Sequence, residues 1–125
     1  MKGRKPVTQC SLSEWRGICQ HLRACVQPPE GYTWRLVWSA KLSRPDSEHF
    51  GFVIKRGKDK RGRGTVTVVI ARGMSQSETE DTLLHEVAHV FDMWEHHHGW
   101  GGEHSDTFWL WLGRVYRRYH GLETG

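Results

Sequence analysis

The sequence predicts one α+β domain, and three observations carry that expectation. Its 125 residues are enough to bury one hydrophobic core and too few for two, so residues 1–125 are read as a single domain. Three stretches, near residues 11–26, 78–96 and 106–120, repeat their apolar residues with helical period. Between them, three segments from residue 32 to residue 71 are dense in aromatic and β-branched side chains and are separated by turn formers. The order is helix, three strands, helix, helix.

Each element has its own local reason. SLSEWRGICQHLRACV opens with Ser11 and Glu14 at capping-box spacing and keeps Trp15, Ile18, Cys19, Leu22 and Val26 on one face. Pro28 and Pro29 end that helix. YTWRLVWSA, HFGFVIK and TVTVVIA read as strands, with KRGKDKRGRG as the loop of a hairpin joining the last two. Ser77 and Glu80 suggest a second capping box, and Glu78, Glu80 and Asp81 place acids where a helix dipole favours them. On that helix Leu84, Val87, Ala88, Phe91 and Trp94 form a core stripe, and His85, His89 and Asp92 lie on another flank facing a cleft. Ser105 or Asp106 can cap a last helix that buries Phe108, Trp111, Leu112, Val115 and Tyr119.

Composition narrows the function classes. No run approaches the roughly 20 apolar residues of a membrane span, and MKGRKPVTQC lacks the apolar core of a signal peptide, so a cytoplasmic protein is expected. Cys10, Cys19 and Cys25 form no C-x-x-C pair and read as reduced structural thiols. The net charge of +4 is concentrated in KRGKDKRGRG, where Lys55, Arg56, Lys58, Lys60, Arg61 and Arg63 face only Asp59, leaving 12 basic and 13 acidic residues elsewhere. From Gly73 to Gly113 there is no Lys or Arg but there are eight acids, a segment that would welcome a cation.

The chemistry sits in TLLHEVAHVFDMW. His85 and His89 stand one helical turn apart, so both imidazoles can reach one zinc ion without bending the backbone. Glu86 falls beside the metal, where it can take a proton from the attacking water and pass it to the leaving amine. The metzincin continuation fails, because its glycine and histidine positions are Asp92 and Glu95. Glu103 or His104 can complete the site. His104 is preferred because it stands just before a helix start, with Phe108 four residues on to bury and hold the turn.

With His85, Glu86 and His89, and with His104 and Phe108 in HSDTF, the chain resembles the SprT-like (Spartan-type) zinc metalloproteases, a lineage of small zincins. That family follows H-E-x-x-H with a third zinc-binding histidine in an H-G-x-x-F type motif, and here Ser105 replaces the glycine. The resemblance implies a zincin-like fold, one Zn2+ per chain, a protein or peptide substrate, and association with DNA. No C-x-x-C pair of the zinc ribbon that follows this domain in some members occurs within these 125 residues. Two alternatives stay open: a non-catalytic DNA-associated zinc module, and a zinc hydrolase acting on a non-peptide substrate.

Several further residues are candidates, each with a plainer reading. Asp92 could orient a ligand imidazole or be a solvated helix acid. Tyr116 and Tyr119 could donate to the oxyanion formed during hydrolysis or simply pack. His96, His97 and His98 could be alternative ligands, although a run at a helix end more often caps carbonyls and faces water. The six basic loop residues could bind nucleic acid or be a solvated hairpin tip. Trp100, in a glycine-rich loop, could touch a ligand, whereas Trp34, Trp38, Trp109 and Trp111 sit in periodic elements and are expected mostly in the core. A peptide substrate is expected along TVTVVIA, taken as the edge strand.

Overall fold

The computed structural model describes residues 8–40, 51–57, 61–96 and 106–122, with the side chains of residues 55, 56 and 96 outside that description. Helix α1 (Leu12–Cys25) starts at Ser11 in a complete capping box: Glu14 N donates to Ser11 Oγ at 3.1 Å and Ser11 N to Glu14 Oε1 at 2.8 Å. Trp15, Ile18, Cys19 and Leu22 are buried along it, and Val26 just beyond.

Strands β1 (Tyr32–Ser39), β2 (Gly51–Arg56) and β3 (Gly64–Ala71) form one sheet in the order β1-β3-β2. The β2–β3 pair is antiparallel, the hairpin expected around the basic loop, whereas β1 runs parallel to β3. TVTVVIA is therefore the central strand, and the expectation that it is the edge is overturned. Both of its ladder edges are occupied, and both faces are covered: Val66, Val68 and Ile70 lie on one, Thr67, Val69 and Ala71 on the other, all buried. Where β1 meets β3, a β-carbon at Gly64 would come within 2.3 Å of the Tyr32 ring, so only glycine allows this approach.

Helices α2 (Gln76–His96) and α3 (Asp106–His120) complete the α+β domain. The box at the start of α2 is formed by Ser75 and Glu78, not Ser77 and Glu80. Ser75 Oγ accepts from Glu78 N at 3.2 Å and donates to Glu78 Oε1 at 2.9 Å. Starting the helix two residues earlier buries Thr79 completely, and its hydroxyl donates to Ser75 O at 2.7 Å.

One core unites Trp15, Ile18 and Leu22 of α1, Val66, Val68 and Ile70 of β3, Leu83, Leu84, Val87 and Val90 of α2, and Val115 and Tyr119 of α3. Leu83 and Val90 lie outside the expected stripe because α2 contacts α1, α3 and the sheet at once and is buried on more than one flank. The stripe residues Phe91 and Trp94 are only half-buried. Trp34 Nε1 donates to Val26 O at 2.9 Å and ties β1 to the end of α1. Trp109, expected in the core, is 54% exposed, and Trp111 and Leu112 are half-buried. Among the described residues no helix is long and apolar enough to cross a membrane.

Candidate active site

His85, Glu86 and His89 lie in the middle of α2, on a turn whose other side carries fully buried Leu84, Val87 and Ala88. That burial fixes the helix rotation, and the i, i+4 spacing brings the two imidazoles together. Their Nε2 atoms are 3.2 Å apart, with ring planes at 71°. Phe108, the third residue of α3 and fully buried, packs on both rings. It is stacked on His89 at 4.2 Å between centroids and edge-on to His85 at 5.0 Å.

Glu86 leans the other way, towards the sheet. A β-carbon at Gly51, the first residue of β2, would meet Glu86 Cγ at 3.0 Å, so the glutamate stem rests on the start of that strand. Burial pushes the Glu86 carboxyl from 4.5 up to about 7. A carboxyl in that range exchanges protons readily near neutral pH.

The nitrogen separation suits a zinc ion. Two imidazoles bound at about 2.0–2.1 Å in a tetrahedral site hold their nitrogens about 3.3–3.4 Å apart. The observed 3.2 Å is close to that edge without any side-chain movement. Among the described residues no group of three or more His, Cys, Asp or Glu gathers to hold a metal ion. The third candidate, His104, lies outside the described residues, as do Glu103, His97, His98, Trp100, Lys58 and Lys60 and the side chains of His96, Lys55 and Arg56. The described chain resumes at Asp106, two residues after His104.

Asp92 is buried, with Oδ1 accepting from Thr107 Oγ1 at 2.5 Å. A solvated helix acid is thereby excluded: Asp92 ties the last turns of α2 to the first turn of α3, next to Phe108. Sequence reading missed Thr107, whose only signal is its place beside Phe108.

Tyr116 and Tyr119 lie apart from the imidazole pair. Tyr119 is a core residue whose hydroxyl bonds Glu80, and burial, reinforced by that bond, raises its phenol well above the ordinary range. Glu80 precedes Glu86 by six residues, about 9 Å along the helix. Tyr116 is exposed and tilted against the His120 ring. Arg61 and Arg63 are exposed in the hairpin connection. Arg56 stands five residues from Gly51, about 17 Å along β2 from the strand end that touches Glu86.

A cavity of about 550 Å³ opens between α1, the start of α2 and the C-terminal half of α3, and one of about 390 Å³ between the ends of α1 and α3; neither is lined by His85, Glu86 or His89. No family model matches the chain, and neither does any curated protein or solved structure.

Proposed function

We propose that this domain is a zinc-dependent metallopeptidase with a zincin-like, SprT-type organisation. The observation that carries the reading is the convergence of His85 Nε2 and His89 Nε2 to 3.2 Å on the helical turn that also bears the half-buried Glu86. His85, His89 and His104 would hold the ion. The choice of His104 is supported by Thr107, three residues on, which bonds Asp92, and by Phe108, which packs on both imidazoles. Zinc, when bound, supplies a Lewis acid that polarises the scissile carbonyl and makes water acidic enough to react near neutral pH.

The protein's own groups do the remaining work. Glu86 Oε takes the proton of the attacking water and returns it to the departing amide nitrogen. Phe108 holds both imidazole planes and excludes water from one side of the pair. Because β3 is central, an extended substrate would lie along β2, whose first residue touches Glu86. Backbone pairing of that kind selects weakly for sequence, which suits a protein or unfolded-polypeptide substrate.

The test is a set of variants assayed for zinc content and for cleavage of unfolded casein. Glu86→Gln should retain zinc and lose hydrolysis. His104→Ala should lose zinc, while His96→Ala/His97→Ala/His98→Ala should keep it. Casein cleavage by Glu86→Gln at the wild-type rate would remove the general base and the reading with it.

A further inference from the structure

Among the described residues β2 is an edge strand, and its first four residues, GFVI, are uncharged. Sheet edges are ordinarily blunted by charge, proline or a bulge, because their unpaired backbone groups accept another chain. Residues 51–54 contain no charge and no proline, and their register with β3 is unbroken. The opposite edge, β1, lies two strand spacings from β2, roughly 10 Å, and carries exposed Arg35.

Alternation divides β2 between the two faces of the sheet. Gly51 and Val53 stand opposite Ile70 and Val68 on the core face, where the start of the strand meets Glu86. Phe52 and Ile54 stand opposite Val69 and Thr67 on the other face. They are 41% and 45% exposed, while Val69 and Thr67 beside them are buried. Phe52, Val69 and half-buried Val37 form one row across the sheet, and Ile54, Thr67 and Arg35 form the next. The buried residues of α1, α2 and α3 join the core on the Val68 side. Phe52 and Ile54 thus make an apolar rim along the same edge whose first residue touches Glu86. An extended chain on that edge meets the rim at every second side chain, where apolar groups pack and polar ones lose water without gaining a partner.

We propose that Phe52 and Ile54 determine substrate specificity: the site takes extended segments of unfolded polypeptide in which apolar side chains alternate with polar ones. This inference rests on the peptidase reading of Glu86. The segment's backbone pairs with β2, and its residue opposite Gly51 lies nearest Glu86. The next residue faces Phe52 and the third faces Ile54, so both apolar contacts lie to one side of the residue opposite Gly51. The side-chain period is two in both strands, so one register satisfies both contacts, and a slip by one residue puts polar side chains on the rim.

The full chain carrying Glu86→Gln is titrated with two short fluorescent peptides of identical valine, threonine and lysine content, and binding is read by anisotropy. In one peptide valines alternate with polar residues; in the other no two valines stand two apart. The alternating peptide should bind about fivefold more tightly, the size of two apolar cross-strand pairs. Adding Phe52→Thr/Ile54→Thr should abolish that preference, and Phe52→Leu/Ile54→Leu, which keeps an apolar rim, should retain it. Both positions are exposed and threonine favours strands, so the urea midpoint should not move. Equal affinity for the two peptides, no binding of either, or a preference that survives the threonine substitutions would overturn the proposal. A wild-type dimer that Phe52→Thr/Ile54→Thr makes monomeric in sedimentation would also overturn it, because a second copy would then cover β2. The two readings fail separately. A wild-type chain that cleaves casein while its Glu86→Gln form binds both peptides alike removes this inference alone. A chain that prefers the alternating peptide and cleaves nothing removes the peptidase reading and leaves β2 a selective docking edge.

Discussion

Replacing Thr107 by valine removes one hydroxyl and little volume, and it isolates the link between α2 and α3. Thr107 Oγ1 donates to Asp92 Oδ1 at 2.5 Å, and Asp92 is only 4% exposed. A hydrogen bond to a charged acceptor contributes about 1.5–3 kcal/mol, so Thr107→Val should cost about that much. Asp92→Asn keeps an acceptor but loses the charge, so it should cost about 1 kcal/mol, the gap between charged and neutral bonds. The double variant should fall short of the sum by about 1 kcal/mol, the coupling of residues that share a bond. Urea unfolding of the four proteins supplies the cycle. Because Thr107 precedes Phe108, Thr107→Val should also weaken zinc binding by about tenfold, as loss of an outer support commonly does. Coupling below about 0.3 kcal/mol, with both single variants within about 0.5 kcal/mol of wild type, would refute the link as a stabilising contact.

Three further outcomes follow from the packing. Gly51→Ala would place its methyl 3.0 Å from Glu86 Cγ and 3.1 Å from Val69 O, which is backbone, so it should cost about 1–3 kcal/mol and lower casein cleavage; an unchanged urea midpoint counts against that contact. Phe108→Ala should cost about 3–5 kcal/mol and reduce zinc affinity, whereas Phe108→Leu should cost clearly less in the same unfolding assay; equal losses would mean that ring volume does not matter. Burial pushes the Cys19 thiol from 9.0 up to about 11, and burial raises Tyr119 as well. Both folded values exceed the unfolded ones, so the Cys19 share is complete below pH 9 and is lost as pH rises through about 11, while the Tyr119 share persists to still higher pH. The Cys19 share is about 2–3 kcal/mol. Urea midpoints should therefore fall more steeply with alkaline pH for wild type than for Cys19→Ala, and parallel curves would contradict the shift.

Much of this arrangement is legible in the residues because its causes are local. The box at Ser11 and Glu14 and the face from Trp15 to Val26 are short-range patterns, and both are found as read. The turn joining His85 to His89 is equally local. The errors arise where a long-range partner decides. TVTVVIA is a near-continuous β-branched run, the mark of a strand covered on both faces, but its central place depends on β1 arriving parallel to it. Ser75 and Ser77 both offer capping spacing, and only the burial of Thr79 separates them. Helical period placed Trp109 in the core, yet α3 buries the face carrying Phe108, Val115 and Tyr119 and leaves the adjacent tryptophan outside. The contact of His21 with Tyr119 spans 98 residues, and no spacing rule contains it.

The central claim is that the imidazole pair is part of an open catalytic zinc site, and zinc X-ray absorption on the purified domain tests it most directly. An open catalytic site requires zinc bound to imidazole nitrogens at about 2.0–2.1 Å with one remaining oxygen position, and loss of the signal in His85→Ala and His89→Ala. Zinc closed by four protein donors, or a domain that retains no zinc while folded, would contradict it.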